Sequence, residues 1–354
     1  MPSDRGGARR VFGVCTRYGE LGASSRLRFF RYADAWRAAG LEPVFRPFFD
    51  DAYLRRLYGG GGRSFLSAAT ALCRRIASLP KLEDRLYIEY ELLPGLPAAW
   101  ELAALRGRRY VLGFDDRVEM KYAGRRWLEG KYEALIRHAA GTVCANAFLA
   151  EWARRFNDRV IEIPTAVDLE RCLPGREEEK FPVFTVVWIG TPATLPYLAG
   201  HLPALRAMAE TVDFELLTIG AELPATAGLR TRSLPWSEAT EGVLLGRAHV
   251  GIMPLPAEDP FAVGKSAYKL LQYLAAGIPA IASPVGENRR VVVEGETGFL
   301  ASTPAEWRDA LSRIASSPEL RRRMGRAARE RAAEYSLAGC APRLTAFLRE
   351  CLEG

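Results

Sequence analysis

The chain has 354 residues and a formal net charge of +7, and 49% of its residues are hydrophobic while 26% are charged. This length is too great for one ordinary hydrophobic core and predicts two domains of about 150 to 180 residues. The composition is typical of a soluble globular protein, and the absence of eighteen successive apolar residues argues against a membrane-spanning helix.

The first ten residues, MPSDRGGARR, are basic and polar, so they do not resemble a secretory signal and a cytoplasmic location is predicted. The six cysteines form no CxxC pair and the three histidines are isolated, which predicts reduced thiols and neither a metal site nor a cofactor. The alternative is a histidine base or a zinc site assembled through space.

Charge is unevenly distributed along the chain. Residues 1–164 contain 28 Lys and Arg against 19 Asp and Glu, a net +9, whereas the remainder carries −2. A solvated arginine-rich surface is one explanation. The other is attraction of the first domain to a phosphate-bearing acceptor or to anionic lipid, with peripheral contact at the inner membrane face. Nucleic acid is not a predicted partner, because the arginines are dispersed and no recognition helix accompanies them.

The first half alternates apolar strands with amphipathic helices. The predicted strands are RVFGVC, EPVFRPF, RLYIEY, RYVLGF, GTVCA and RVIEIP. The predicted helices are RLRFFRYADAWRAAG, about 64–78, LPAAWELAALRG, a segment near WLEGKYEALIRHA, and AFLAEWARRF. Such alternation predicts a parallel sheet with helices on both faces.

A second alternation follows the polar segment TAVDLERCLPGREEEKFP, which is typical of a linker. Its predicted strands are VFTVVWIG, FELLTIG, VGIMPL, PAIAS and TGFLA, with helices around SEATEGVLLGRA, within 264–283 and toward the end. The predicted fold class is α/β, with two Rossmann-like doubly wound domains, 1–166 and 167–337, facing a central cleft. The last helix, about 338–354, is predicted to pack back onto the first domain.

Two lysines near the start of the helix within 264–283 indicate a ligand. A helix N-terminus already carries positive partial charge, so Lys265 and Lys269 are each unfavourable there by roughly 0.3 to 1 kcal/mol. On a helix they share one face with Gln272 and Ala276, opposite three leucines. A solvated stripe has the same spacing, but the position at the strand ends favours a bound diphosphate.

A second loop follows directly. After PAIAS, Gly286 permits close backbone approach, and Glu287 and Asn288 open another short helix whose N–H groups would form a nest for anionic oxygen. An ordinary strand-to-helix turn has the same composition. Because this loop follows the lysine helix, the three residues are predicted to bind the same ligand.

The stretch GIMPLPAEDPFAVGKSAYKLLQYLAAGIPAIASPVGENRRVVVEGETGFLA resembles the donor half of family 4 glycosyltransferases, which are retaining enzymes of the GT-B fold. WIGTPATLPYL and VIEIPTAVD fit the same resemblance, which is strong from about 183 to 336 and weaker before. It implies a nucleotide-sugar donor, most simply a UDP- or GDP-sugar, and metal-independent chemistry. By that resemblance the pyrophosphate lies near Gly190 and Thr191, with Lys265 and Lys269 replacing the family's usual Arg and Lys.

Many family members carry two glutamates eight residues apart, one for the sugar and one for the ribose. The matching positions here are Gly264 and Gln272, so both glutamates are absent. Gln272 can still hydrogen-bond a ribose hydroxyl, whereas Gly264 offers only backbone atoms. This departure leaves the identity of the sugar open.

In the first domain, Asp115 and Asp116 follow the strand RYVLGF, near where the family often has His followed by Asp. The resemblance implies a catalytic contact of Asp115 with the transferred sugar or the acceptor, and an acceptor contact of Asp116; a strand-end cap is the alternative. In GELGASSRLR, Gly22 would approach the donor phosphate and Arg26 would hold an anionic oxygen of the acceptor.

Glu89 and Glu91 end another strand at the predicted cleft, in YIEYELLP. They are predicted either to bind acceptor hydroxyls or to solvate the rim, with the rim slightly favoured. Their side chains are therefore expected to be accessible.

The resulting hypothesis is a retaining hexosyltransferase, with Asp115, Lys265 and Lys269 as catalytic residues. Its acceptor would be a glycan, a lipid-linked glycan or a natural product. A nucleotide-sugar epimerase or a phosphorylase on the same fold stays open as an alternative. So does a non-catalytic protein that binds sugar nucleotides or a membrane surface.

Overall fold

The computed structural model describes residues 10–57, 59, 62 and 64–353. The chain divides into two compact units: Met1–Ala166 with Leu337–Gly354, and Val167–Ser336. We call them unit 1 and unit 2. Most of the N-terminal decapeptide, on which the prediction of location depends, lies outside the described residues.

Unit 1 is built around a six-stranded parallel sheet in the order β2-β1-β3-β4-β5-β6. Its strands are β1 (Arg10–Cys15), β2 (Leu41–Phe45), β3 (Arg85–Glu89), β4 (Arg109–Phe114), β5 (Gly141–Cys144) and β6 (Val160–Glu162). Its helices are α1 (Ala23–Arg28), α2 (Ala33–Ala38), α3 (Asp51–Arg56), α4 (Phe65–Ser78), α5 (Ala98–Ala104), α6 (Lys131–His138), α7 (Ala147–Arg154) and, from the end of the chain, α15 (Leu337–Glu353).

Unit 2 has a second six-stranded parallel sheet in the order β12-β11-β10-β7-β8-β9. Its strands are β7 (Thr185–Ile189), β8 (Glu215–Ile219), β9 (Arg230–Leu234), β10 (Val250–Met253), β11 (Ala280–Ala282) and β12 (Gly298–Leu300). Its helices are α8 (Leu195–Ala209), α9 (Glu241–Arg247), α10 (Pro260–Val263), α11 (Tyr268–Ala275), α12 (Asn288–Val291), α13 (Pro304–Ser316) and α14 (Pro318–Ala332). The predicted α/β class with two doubly wound parallel sheets is confirmed.

Several elements differ from the sequence prediction. The long first helix is broken at Phe29 into α1, a short 3-10 turn and α2. The sequence prediction lacks α8, whose Pro203 and Gly200 are poor helix formers. It also lacks β9, an edge strand whose polar sequence RTRSL has no apolar face. Tertiary packing stabilises both elements against their local sequence.

The C-terminal helix α15 completes the core of unit 1. Its buried face, which includes Cys340, Leu344 and Leu348, packs in one cluster with Trp36 and Tyr87. A helix that long buries enough apolar surface to hold the end of the chain in unit 1, although the sequence before it belongs to unit 2.

Strand order decides where each unit can hold a ligand. In parallel sheets, ligands bind at the carboxyl ends of the strands, where the chain reverses its direction of progress through the sheet. We call this place the switch point; it lies between β1 and β3 in unit 1 and between β7 and β10 in unit 2. Among the described residues, no helix combines the length and apolarity needed to cross a bilayer.

Candidate functional site

The two predicted lysines lie at the switch point of unit 2. Helix α11 begins at Tyr268, so Lys269 is in its first turn, but Lys265 belongs to the preceding loop. The prediction that both lysines open one helix is therefore wrong. Ala267 interrupts the helix with a φ of 52°, a left-handed conformation that costs an alanine about 1 to 2 kcal/mol. Such strain persists only where surrounding structure enforces it.

The ammonium groups of these lysines rest on aromatic rings. Lys269 Nζ lies 5.4 Å from the centroid of the Trp188 ring, and Lys265 Nζ lies 5.3 Å from that of Tyr197. Within the described ranges no carboxylate pairs with either lysine. Burial, together with the Lys265 charge, lowers the pKa of Lys269 to about 8. Two cations are thus held close together and uncompensated, which favours binding of an anion.

Gly190 and Thr191 follow β7 beside this pair. A Cβ on Gly190 would lie 2.3 Å from the Trp188 ring, so only glycine lets the chain pass the aromatic platform under Lys269. Thr191 is exposed, and its backbone N–H donates to the Thr194 hydroxyl at 3.2 Å. Gly190 and Lys269 therefore both lie beside the Trp188 ring, and Thr191 follows Gly190 in the chain.

Gln272 is only 5% exposed, so the alternative of a solvated stripe does not apply to this residue. Its side-chain amide donates to Glu241 Oε2 at 3.3 Å, and the Trp236 indole N–H donates to the same carboxylate. Glu241 begins α9 and was not predicted as a site residue. The structure therefore places a carboxylate beside Gln272, although both glutamates of the family pattern are absent.

The loop after β11 packs against the start of the lysine segment. Gly286 has a φ of 52°, and a Cβ there would lie 2.3 Å from the backbone oxygen of Val263, next to the buried Gly264. Glu287 forms an ion pair with Arg290 at 3.3 Å. The close approach of Gly286 places the loop against the lysine segment, whereas the Glu287–Arg290 pair lies within the loop and α12.

Asn288 is buried, and its amide donates to the Ser283 carbonyl at 2.9 Å. The side chain thus holds the loop in shape. Its predicted contact with a ligand stays a prediction, and α12, with four residues, is too short to contribute a helix N-terminus.

Glu89 lies at the switch point of unit 1 and is 2% exposed, so the prediction of an accessible rim residue is wrong. Its carboxylate accepts hydrogen bonds from the Ser24 and Ser25 hydroxyls and, at 2.7 Å, from the Arg17 backbone N–H. Burial raises the pKa of Glu89 despite these donors. The carboxylate joins the end of β3 to the loop after β1 and to α1.

Asp115 is half-buried after β4 and accepts a hydrogen bond from the Tyr90 hydroxyl. Tyr90 has a φ of 63°, so its backbone is strained beside this carboxylate. Burial acts to lower the pKa of the Arg28 guanidinium. The charge of Asp115 and the neighbouring tyrosine hydroxyls outweigh that effect, so the pKa of Arg28 is raised. Asp116 is exposed beside Asp115.

The arginine whose charge interacts with Asp115 is Arg28, a residue that the sequence analysis did not single out. Arg26 is half-buried, and its guanidinium donates to the Glu20 carbonyl at 3.2 Å. Gly22 precedes α1, and a Cβ there would lie 2.3 Å from the Tyr18 side chain. The approach of Gly22 to a donor phosphate and the acceptor contact of Arg26 stay predictions.

Glu91 is also buried, at 6% exposed, so its prediction as a rim residue is wrong too. Its carboxylate binds Lys131 Nζ at 2.7 Å, the Lys121 ammonium, and the hydroxyls of Tyr122 and Tyr132. The two ammonium groups outweigh the effect of burial and lower the pKa of Glu91 to about 2. With this many internal partners, Glu91 serves the structure of unit 1; its predicted acceptor contact remains untested.

The most informative residues that the sequence reading missed are Arg28, Tyr90 and Glu241. Helical periodicity from Ser25 does place Arg28 near the sheet, so that residue could have been found. No local sequence pattern indicates Tyr90 or Glu241. The position of Tyr90 depends on an unusual backbone angle, and that of Glu241 on a contact between distant segments. No group of three or more His, Cys, Asp or Glu able to hold a metal occurs in the described part of the chain.

Known proteins resemble this chain in both sequence and fold. Residues 255–331 match the family model of glycosyl transferases group 1. D-inositol 3-phosphate glycosyltransferase from Corynebacterium urealyticum is 26% identical over 54% of this chain and 51% of its own length. The same enzyme from Corynebacterium glutamicum is 39% identical over 22% of this chain and 19% of its own length. The chain thus spans about half, or less, of these curated relatives.

Solved structures match nearly the whole chain. HepE from Anabaena, in complex with UDP and glucose, has a TM-score of 0.72 at 12% identity, covering 96% of this chain and 99% of that one. Sucrose-phosphate synthase from Thermosynechococcus elongatus has a TM-score of 0.68 at 15% identity, covering 97% and 99%. The class of fold is therefore GT-B. The resemblance to family 4 glycosyltransferases predicted from the sequence is confirmed for the segment 255–331, which matches the group 1 model.

Proposed function

We propose that this protein is a glycosyltransferase that moves a hexose from a nucleotide sugar to an acceptor hydroxyl with retention of configuration. The observation that carries the proposal is the Lys265–Lys269 pair at the switch point of unit 2, two cations that no carboxylate among the described residues pairs with. The group 1 match spans this pair, from residue 255 to 331. A diphosphate is the anion that fits two ammonium groups and the first N–H groups of α11.

The pair supplies what departure of a nucleoside diphosphate requires. As the bond between sugar and phosphate breaks, negative charge grows on the leaving oxygen, and fixed cations stabilise that state more than the ground state. The departing phosphate then accepts the proton of the acceptor hydroxyl, so the protein needs no nucleophile of its own. Gln272 can donate to a ribose oxygen, and Glu241 beside it can accept from a ribose hydroxyl.

The switch point of unit 1 is the proposed place for acceptor recognition. Asp115 is half-buried nearby, after β4, where it accepts a hydrogen bond from the Tyr90 hydroxyl and interacts with the Arg28 charge. A carboxylate that keeps accessible surface can accept a hydrogen bond from a sugar hydroxyl or an acceptor hydroxyl. A glycan, a lipid-linked glycan or a hydroxylated natural product would each provide that hydroxyl.

A panel of UDP-, GDP-, ADP- and dTDP-sugars tests the proposal. We expect at least one donor to bind in calorimetry, with UDP-glucose tested first because HepE is known in complex with it. Release of the nucleoside diphosphate should accelerate when acceptors are added. The proposal fails if saturating concentrations of all four donor classes neither bind nor react.

The same panel separates the alternatives. An epimerase would interconvert sugars while they stay attached to the nucleotide, and a phosphorylase would release a sugar phosphate only when inorganic phosphate is present. A binding protein without activity would bind a donor and leave it intact in the presence of every acceptor.

We further propose that unit 1 contacts anionic membranes through the start of α4. Phe65 is 89% exposed and Leu66 is 75% exposed, the most accessible large apolar pair among the described residues. Arg56, which donates to the Ser67 hydroxyl at 2.7 Å, and the exposed Arg55 place positive charge beside them. Apolar side chains flanked by arginines suit the interface of an anionic bilayer.

Flotation with vesicles of phosphatidylglycerol and phosphatidylcholine tests this contact. We expect Phe65→Ser with Leu66→Ser to reduce the bound fraction at least tenfold, since each buried apolar side chain contributes roughly 1.5 to 3 kcal/mol. Trp127→Ser is the control, because Trp127 is 83% exposed elsewhere in unit 1 and its loss should change little. Equal binding of the double variant and the wild type would contradict the proposal.

A further inference from the structure

Unit 2 has a cavity at the end of its sheet opposite to the lysine pair. Its volume is ≈ 340 Å³, and its walls include His249, just before β10, and Pro279, just before β11. Helix α14 forms another wall. His249 precedes β10, whereas the lysine segment follows it, so the length of this strand lies between the cavity and the candidate donor site. The two are therefore distinct.

The cavity wall is strongly basic. It contains Lys180 and four arginines of α14 against two carboxylates, Glu177 and Glu330. Two of these cations are satisfied internally: Arg329 donates to three backbone carbonyls, including that of Leu169 at 2.7 Å, and Lys180 donates to those of Gly246 and Ala248. These two hold the wall in shape.

The other cations are available. Arg322 and Arg326 are exposed, and across the described residues neither has a hydrogen bond or an ion pair. Arg321 uses one guanidinium nitrogen for the carbonyls of Ile314 and Ala315 and keeps further N–H groups. Like charges so close together repel each other, and the two carboxylates of the wall offset only part of the charge of its five cations.

His249 adds a neutral donor to the same wall. Its Nδ1 accepts a hydrogen bond from the Thr185 backbone N–H at 3.0 Å, so the ring carries its hydrogen on Nε2. Burial, assisted by the charges of Lys180 and Arg321, lowers the pKa of His249 to about 4 and keeps the ring neutral at physiological pH. An N–H donor beside free guanidinium groups is an arrangement that suits phosphate oxygens.

We propose that this cavity binds a small phosphate-bearing molecule of the size of a sugar phosphate. The guanidinium groups of Arg322 and Arg326 would hold the phosphate, and Glu177 and Glu330 can accept hydrogen bonds from hydroxyls. The volume exceeds that of a lone phosphate ion and lies within the range of ordinary ligand pockets. Apart from His249, the wall has no aromatic ring among the described residues, so it offers no platform for a nucleobase.

Calorimetric titration of the full chain with glucose 6-phosphate and with inorganic phosphate tests the proposal. We expect Arg322→Ser with Arg326→Ser to raise the dissociation constant for glucose 6-phosphate at least tenfold. Arg323→Ser is the matched control, because Arg323 is exposed on the same helix but does not line the cavity. Lys269→Ala should leave this affinity unchanged, which separates the cavity from the donor site.

A second arm uses vesicles containing phosphatidic acid. If they bind in place of the free phosphates and the double variant abolishes that binding, the phosphate belongs to a lipid headgroup and the proposed chemistry stands. The proposal is overturned if no probe binds, if Arg323→Ser weakens binding as much as the double variant does, or if only Lys269→Ala weakens it.

Discussion

Replacing Lys269 with alanine is expected to raise the dissociation constant for the nucleoside diphosphate by tenfold or more. The ammonium lies over the Trp188 ring and has no carboxylate partner in the part of the chain that the structure describes, so a diphosphate would supply the opposite charge. A charge-assisted contact of that kind contributes roughly 1.5 to 3 kcal/mol, which corresponds to about 10-fold to 150-fold in affinity. Calorimetry with UDP, or with the preferred nucleotide from the donor panel, measures the effect.

The pH dependence of this affinity provides a control that a structural role of Lys269 would not reproduce. Since the pKa of Lys269 is about 8 in the free protein, the ammonium is lost as pH rises above that value. Phosphate groups are already ionised there, so the wild-type affinity should fall between about pH 8 and 10. Lys269→Arg should bind with little change across the same range. Unchanged affinity in a folded Lys269→Ala variant would contradict the assignment.

Replacing Lys131 with methionine is expected to destabilise unit 1 by about 3 to 5 kcal/mol, because it leaves two buried carboxylates without their shared cation. The Lys131 ammonium is fully buried between Glu91 and Glu101, at 2.7 Å and 2.9 Å. For a unit of this size the loss corresponds to roughly 10 °C in Tm. Denaturant titration and calorimetric melting measure it.

Lys121→Met is the matched control, because the Lys121 side chain is 32% exposed and, of the two carboxylates Glu91 and Glu101, it pairs with Glu91 alone. Its loss should cost about 1 kcal/mol. Burial raises the pKa of Glu101 even with Lys131 present. The Lys131 charge acts to lower the pKa of Glu101, so this pKa should be higher still in Lys131→Met. A raised carboxyl pKa favours the folded state at low pH. Acidification from pH 7 to 5 should therefore stabilise the variant more than the wild type and narrow the difference in their free energies of unfolding. Equal losses for the two variants would contradict this account.

The donor segment illustrates how far the sequence alone reaches. The spacing of Lys265 and Lys269 and the glycines that follow predict an anion site, and the structure places Lys269 and Gly190 beside the Trp188 ring, with Thr191 next in the chain. The same spacing wrongly places Lys265 within the helix. It cannot anticipate Ala267, whose left-handed backbone delays the start of the helix to Tyr268, about one turn later than periodicity suggests.

The acidic residues of unit 1 illustrate where the sequence fails. Two glutamates separated by one residue at a strand end look alike in sequence, and an accessible rim is a reasonable prediction. In the structure Glu89 is held by serine hydroxyls, whereas Glu91 is held by lysines and tyrosines from 30 to 41 residues away. Such partners meet only when helices from distant segments pack against the same sheet.

Hydrophobic alternation in the chain determined the α/β class and the two parallel sheets, because those depend on local periodicity. The motif residues in 251–301 carry the resemblance to family 4 glycosyltransferases, because they lie close together in sequence. Tertiary structure alone decided which charges are compensated. It buried Glu89 and Glu91, placed Glu241 beside Gln272 and gave Lys269 no counter-charge from any described residue. The energy of a charge depends on every neighbour in space, and few of those are neighbours in sequence.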